Sequence, residues 1–332
     1  MSASVVIVLA TYHGAPWLEA QVRSLQAQDL PGWRLLARDD GSTDGTPALL
    51  ARLAREEPRL EVLPGGERLG VVGNFGALLE AARHRGAERV FPCDQDDVWR
   101  PGRLSSALAL LDRLEAERGV ATPLLVHSDL EVVDEALGRL HPSFLAFQGL
   151  RHEAHDPLRL LLVQNFVTGC ASALNRALLE LALPLPPACV MHDWWLAQCA
   201  AAAGAIGFLP EATVRYRQHA ASQVGAAGAL LGRGALGARG RRRLAGAWRM
   251  GRRLLAQAAA LRARLEERGG APADRLALVA AFADLRDQGP LRRLATLRRL
   301  GVRRLHPADT ALLHALLAAH GLAARPGRGE AP

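Results

Sequence analysis

Short apolar runs alternate with helical repeats along the first 130 residues. The run SVVIVLA (4–10) is continuous and β-branched, the pattern of a strand buried on both faces. Residues 15–28 follow with Leu18, Val22 and Leu25 at helical spacing. WRLLARDD (33–40) predicts a second strand that ends in acids. TPALLARLAREE (46–57) predicts a helix with Pro47 in its first turn and Thr43 or Asp44 able to cap it. LEVLP (60–64), RVFPC (89–93) and PLLVHSD (123–129) read as further strands. Between them, VVGNFGALLEAARHRG (71–86) and RPGRLSSALALLDRLEAERG (100–119) read as helices, the first ending at Gly86.

Strands and helices in this order predict an α/β fold, a Rossmann-like and mostly parallel sheet flanked by helices. Beyond 140 the pattern loosens. NFVTGCASALNRALLE (165–180) predicts a loop, a short strand and a helix, and MHDWWLAQCAAAAG (191–204) a helix. ATVRYRQHAAS (212–222) predicts a last short strand and loop. From there Leu and Ala recur at helical spacing among many arginines, which predicts basic amphipathic helices. The expected organisation is a catalytic domain over 1–225 and an Arg-rich helical region over 226–332.

Ligands of such sheets bind beyond the C-terminal ends of the strands. Three polar clusters fall there: TYHG, DDGSTDG and DQDD. In the last, Asp94, Asp96 and Asp97 stand within four residues, close enough to repel and to raise one another's pKa. Two carboxylates one residue apart can approach one hard divalent cation, Mg²⁺ or Mn²⁺, whose other ligands are often substrate phosphates. Asp94 and Asp96 therefore suit a metal-bound diphosphate; the alternative is a solvated turn, with Asp97 capping a helix or orienting the turn. Asp40 can accept a hydrogen bond from a pyrimidine N–H, while Gly41 and Asp44 serve the turn and the cap. Asp193 opens a helix, where the dipole favours its charged form, and an ionised carboxylate there can take a proton from a hydroxyl. Its alternative is a simple cap, with Trp194 and Trp195 either stacking on a sugar or packing. YRQH offers His219 as a further metal ligand and Arg217 as a diphosphate partner.

Composition narrows the field. With 332 residues and 49% hydrophobic content the chain can bury a sizeable core. It shows no apolar run long enough to span a bilayer and no basic, cleavable N-terminal leader, so a cytoplasmic protein is expected. The four cysteines form no CxxC pair and read as buried thiols. All 41 basic residues are arginine, which excludes a Walker-A loop or Schiff-base chemistry. The net charge is +8, with arginines crowded toward the C-terminal third. Runs such as GARGRRR either bind an anionic membrane, at the inner face of the cell membrane, or are solvated faces of an ordinary helical extension. Nucleic acid is not expected, since no recognition motif and little aromatic interleaving are seen, and Trp248, the one aromatic residue between 230 and 270, argues against a deep membrane anchor.

The motifs over 4–225 resemble the family 2 glycosyltransferases of GT-A fold. VVIVLATYHGAPWLEAQVRSLQAQ is similar to the family's opening strand and nucleotide loop, and ARDDGSTDGT to its second-strand motif. ERLGVVGNFGALLEAA resembles its Gly/Asn segment, FPCDQDDVWRPGRL its metal-binding segment, TGCASALNR its acceptor-side loop, and HDWW its catalytic motif. The resemblance implies that Thr11, Tyr12, Asp40 and Asn74 hold the nucleotide and that Asp94 and Asp96 manage the metal-diphosphate, Asp96 as direct ligand. It implies Asp193 as general base, His219 as the completing ligand, and Trp99, Gly169, Trp194 and Trp195 on the acceptor side. His192 stands where the family usually carries an acid, which puts the acceptor contacts in question.

DQDDVW, HDWW and YRQH together are most similar to bacterial rhamnosyltransferase-like members. The implied reaction is an inverting transfer of L-rhamnose from dTDP-rhamnose to a hydroxyl of a glycan or lipid-linked acceptor in cell-surface polysaccharide synthesis. A UDP-hexose donor is the alternative. A double displacement needs a second carboxylate as nucleophile, and no candidate stands out. Two other classes compete. A nucleotidyltransferase would carry a Gly-rich basic loop, which ATYHGAPW lacks. An inactive sugar-nucleotide-binding scaffold would not need Asp94, Asp96 and Asp193 together.

Overall fold

A computed structural model describes residues 4–219 and 238–319. The expected boundary at 225/226 and the end of the ATVRYRQHAAS segment lie outside the described residues.

The first half alternates as expected: β1 (Val5–Thr11), α1 (Leu18–Gln26), β2 (Trp33–Asp39), α2 (Thr46–Glu56), β3 (Leu60–Val62), α3 (Gly70–His84) and β4 (Arg89–Asp94). There follow β5 (Val98–Trp99), α4 (Arg103–Arg118), β6 (Leu124–Val133), β7 (Arg139–His141), α5 (Phe144–Phe147) and α6 (Pro157–Leu161). Then come β8 (Ser172–Asn175), α7 (Arg176–Ala182), α8 (His192–Ala203) and β9 (Ala205–Arg217). Four α-helices follow among the described residues: α9 (Ala238–Arg268), α10 (Ala273–Ala283), α11 (Pro290–Leu300) and α12 (Pro307–Ala319). No helix among the described residues is long and apolar enough to cross a membrane.

One sheet runs in the order β3-β2-β1-β4-β8-β6-β9-β5, with β7 on β6. Its long pairings, β1 with β2 and β4 and β6 with β9, are parallel. Two features depart from a purely parallel sheet. The short β8 is inserted antiparallel between β4 and β6. Strand β5, absent from the expectation, pairs antiparallel with β9 at Val98↔Arg215 and folds the DQDD loop back against residues 215–219. Strand β9 starts at Ala205, well before the expected 212.

Register decides what meets at the sheet's edge. Thr11 stands opposite Asp39 and Ala10 opposite Asp94, so the polar clusters after β1, β2 and β4 converge. Alternation along β1 sends Val6 and Val8 into one core and Val5, Ile7 and Leu9 into the other. The second core lies under α1, α2 and α4 through Leu18, Leu50 and Leu104. The first takes in α3, α7 and α8 and extends into the C-terminal helices through Leu261, Phe282, Leu297 and Leu313. Polar ties reinforce this: Gln257 accepts from the Val190 N–H (2.6 Å) and donates to Gln198 (2.9 Å), and Arg264 donates to the Leu181 carbonyl (2.9 Å). The basic helices thus share a core with the sheet, their apolar faces inward.

Candidate functional site

The ends of β1, β2 and α3 form the first wall of a cleft of about 580 Å³. Arg38 organises it from within. Its guanidinium donates to Asp40 (2.9 Å), to Asn74 Oδ1 (2.9 Å) and to the Glu67 carbonyl (3.0 Å). Asp40 also accepts the Leu69 (2.7 Å) and Gly70 (2.8 Å) N–H groups at the start of α3, and Asn74 donates to the Arg38 carbonyl (3.2 Å). All three side chains are buried, and a buried ion pair holds only when its remaining hydrogen bonds are made, as here. A carboxylate offers about four acceptor sites, so Asp40 retains capacity for one more contact. Thr11 donates to Asp39 (3.0 Å). Gly41, at φ +81°, makes the turn that follows in a conformation side chains rarely adopt. Gln95 clips the Tyr12 backbone at both its N–H and its carbonyl, each at 2.8 Å.

The acid cluster forms the floor. Asp96 lies 2.8 Å from His219 Nε2, and the His219 ring stacks on Trp17 with centroids 3.9 Å apart. Asp94 is pushed up to about 7, first by burial and then by the charges of Asp96 and Asp193. Asp97 is fully buried, accepts the Arg217 N–H (3.2 Å) and sits well above the carboxylate range, again through burial first. It orients the loop and caps no helix.

Two ligand sets are possible for a cation. Asp94, Asp97 and Cys170 bring ligand atoms within 4.8 Å of one another. Burial pushes the Cys170 thiol well up, however, which leaves it a poor partner for a hard cation, and neither Asp97 nor Cys170 lines the cleft. Asp94, Asp96 and His219 do line it. Like charges held together there, at the cost seen in Asp94, fit a divalent cation.

The far wall belongs to α8 and the 165–169 segment. Asp193 accepts the Trp194 (2.6 Å) and Gly169 (3.1 Å) N–H groups and one from Asn165 Nδ2 (3.3 Å). Its pKa is nonetheless pushed up to about 6, because burial outweighs those hydrogen bonds. The sequence suggested the opposite direction from the helix dipole; desolvation dominates. His192 stacks on Phe75, centroids 3.8 Å apart, with both ring nitrogens unpartnered; burial lowers it to about 3, so the ring is neutral. A Cβ at Gly169 would lie 2.8 Å from His192 Nε2.

Four expected positions fall outside the wall. Arg217 points its guanidinium at the carbonyls of Asp96 (2.8 Å) and Glu135, so it is spent on the loop and not offered to a diphosphate. Trp195 is fully buried and donates to the Ala182 carbonyl (2.9 Å); Trp194 donates to Leu161 (2.6 Å) and packs against the first core. Trp99 is buried under the Arg103 guanidinium, 4.2 Å from its ring. All three tryptophans pack. Thr11, Tyr12, Asp40, Asn74, Asp94 and Asp96 line the cleft, as do Gly169, Asp193 and His219. Sequence reasoning missed Trp17, Arg68, Phe144 and Gln148, which also line it. Arg68, its guanidinium 4.2 Å from the Tyr12 ring, is the cation that faces the cleft where Arg217 does not.

Comparison with known proteins fits this geometry. The family model described as "Glycosyl transferase family 2" matches residues 6–181, more than half of the chain. An uncharacterized Mycobacterium tuberculosis protein, Rv1520, is 28% identical over 228 residues, 64% of this chain; the match spans 58% of that relative's length. The dTDP-rhamnosyl transferase RfbG of Shigella flexneri is 29% identical over 105 residues, 31% of this chain and 36% of its own. Among solved structures, S. aureus TarS 1-349 in complex with UDP-GlcNAc superposes with TM-score 0.53 at 15% identity, covering 95% of this chain and 90% of its own. The mannosyltransferase PcManGT of Pyrobaculum calidifontis, in complex with GDP-Man and Mn²⁺, gives 0.52 at 21% identity, with 96% and 86% covered. These two likenesses bear on the fold, which is the GT-A arrangement. With the family model covering the sheet from β1 through β8, the acid loop and the 165–175 segment, the chain belongs to glycosyl transferase family 2.

Proposed function

We propose that this cleft moves a sugar from a nucleoside diphosphate donor to an acceptor hydroxyl with inversion of configuration. One observation carries the reading: Asp193, a carboxyl poised near 6, faces the same cleft as the Asp94–Asp96 pair and the Arg38–Asp40–Asn74 frame. Tyr12, Asp40 and Asn74 receive the base and ribose, and Arg68 lies beside the diphosphate. Asp193, ionised, takes the proton of the attacking hydroxyl, and Asn165 and the Gly169 N–H hold its carboxylate in place. His192 offers neutral ring nitrogens to the sugar or the acceptor. Asp94, Asp96 and His219 would hold a Mg²⁺ or Mn²⁺ ion, which would supply neutralising charge for a departing diphosphate.

The donor we favour is dTDP-L-rhamnose, supported by the motif likeness and by the dTDP-rhamnosyl transferase among the relatives. A UDP-hexose remains the second reading, favoured by the UDP-GlcNAc complex of TarS. The acceptor is a glycan or lipid-linked hydroxyl in cell-surface polysaccharide synthesis, at the cytoplasmic side of the membrane. Calorimetry with dTDP-rhamnose, UDP-glucose, UDP-N-acetylglucosamine and GDP-mannose, with and without Mn²⁺, tests it. Metal-dependent binding of one donor, lost in Asp96→Ala, is expected. Binding indifferent to metal and to Asp96 sinks the metal-diphosphate assignment, and binding without any donor turnover points to an inactive scaffold.

A further inference from the structure

A second cavity, of about 570 Å³, lies among the C-terminal helices, away from the acids. Arg151, Arg298, Arg303 and Arg304 line it, over an apolar floor that includes Leu294 and Ala311. The carboxylates near these arginines are Glu153, 3.4 Å from Arg303, and Asp309, 3.9 Å from Arg304. Both are buried and neither lines the cavity, so the four arginines of the lining outnumber the two acids beside them. The Arg304 Nε is buried without a hydrogen-bond partner. Among the described residues the Arg298 guanidinium has no ion pair. Arg151, Arg298 and Arg303 are exposed and Arg304 is half-buried, so four guanidinium groups set against two carboxylates stand within reach of an anion from solvent. Their planar forks suit phosphate oxygens in pairs.

Position gives this cavity its meaning. Leu150 lines the cleft and the next residue, Arg151, lines the cavity. The same division recurs one segment on. Asn165 lines the cleft and donates to Asp193, whereas Gln164 accepts the N–H of Leu305 in the cavity wall (2.9 Å). Arg159 adds a tie to the Leu300 carbonyl (2.6 Å). The cleft and the arginine cavity therefore adjoin through residues 150–151 and 164–165.

We propose that this arginine cavity binds a phosphate or diphosphate group carried by the acceptor, with an adjoining apolar portion on the Leu294–Ala311 floor, while the acceptor hydroxyl reaches Asp193. This rests on the glycosyl-transfer reading of the cleft and adds the chemical class of its acceptor: an anionic amphiphile, not a neutral glycan.

Titration calorimetry on the full chain in EDTA tests the cavity itself, with farnesyl diphosphate and inorganic diphosphate as probes and farnesol as the uncharged control. Without a cation the acidic cleft repels both diphosphates. The variant is Arg151→Ala/Arg298→Ala, since both side chains are exposed and neither is needed to fill a core. Both diphosphates are expected to bind the wild type, with at least about tenfold loss in the variant and recovery in Arg298→Lys on the Arg151 background. Farnesol is expected not to bind, and a tighter fit of farnesyl diphosphate than of inorganic diphosphate measures the floor. Equal affinity in wild type and variant, or no diphosphate binding at all, overturns the proposal. So does loss of phosphatidylglycerol vesicle binding in a variant whose wild type ignores both diphosphates, because the cavity is then a membrane contact. Donor affinity in Mn²⁺ should be the same in variant and wild type. A failed donor titration would overturn the transferase reading and leave these binding results standing.

Discussion

Replacing Asp193 by Asn should abolish transfer and, at neutral pH, stabilise the protein. The ordinary aspartate value is 3.8, and burial in the cleft wall raises this one to about 6. The folded protein therefore holds a proton that the unfolded chain has already released. Its contribution to stability is full below 3.8 and is lost as pH rises through 6. Asn never ionises and escapes that loss. Linkage puts the resulting advantage of the variant at about 1 kcal/mol at pH 4.5 and about 3 kcal/mol at pH 7.5. These are upper bounds, because the residue is only half-buried and the cleft admits water. The amide keeps one carbonyl for three N–H donors, an offset that is the same at every pH. The widening of about 2 kcal/mol is thus the diagnostic quantity. At about 2.1 cal/mol/K per residue, it is a gap in Tm that grows by roughly 3 °C. Scanning calorimetry in EDTA at the two pH values reads it directly. In parallel, kcat should fall by about 10²- to 10⁴-fold with donor affinity unchanged, and wild-type kcat/KM should rise with pH through about 6. A Tm gap that is flat in pH would refute the desolvated carboxyl, and a variant with normal kcat would refute the base.

Three further outcomes follow from the same contacts. Arg38→Met leaves Asp40 buried without its cation and should cost about 3–5 kcal/mol in urea unfolding, with donor binding lost together with the frame. Gly169→Ala places a methyl 2.8 Å from His192 Nε2 and 3.3 Å from the Asp193 Cβ, so kcat should drop by about tenfold or more while donor Kd holds; an unchanged kcat would show that the His192–Asp193 geometry is not needed. Trp194→Phe removes the bond to Leu161 and should lower stability by about 1 kcal/mol with acceptor KM unchanged; a large rise in KM would restore the sugar-stacking role.

The parts of the molecule legible in sequence are those set by local pattern. The apolar run of β1 and the acids ending β2 and β4 announced both the parallel sheet and the edge where Thr11, Asp40 and Asp94 meet. What the pattern could not carry was pairing between distant segments. Strand β8 is four residues of SALN with no period of its own, yet its antiparallel insertion brings Gly169 to Asp193. Arg217 and His219 are two residues apart, which in a strand means one face, but β9 ends at Arg217 and the two side chains diverge. The tryptophans pack inward for a geometric reason. Successive helix positions differ by about 100°, so Asp193, Trp194 and Trp195 cannot all face one cleft. Asp193 takes the cleft, and the apolar neighbours take the core.

The polar residues at the sheet's edge divide into two kinds, and the division bears on why the acids persist. Asp40 has an arginine and two helix amides; Asp97 has the Arg217 N–H and holds a loop. Each does structural work and would be retained for it. Asp96 has no arginine, and the contact its carboxylate makes in the cleft is with His219. Asp94 is forced toward 7 partly by Asp96 itself. Removing either acid should therefore relieve repulsion in the metal-free protein. Two carboxylates that oppose each other in the fold, face open space and share it with a histidine are accounted for by a cation that the fold alone does not require.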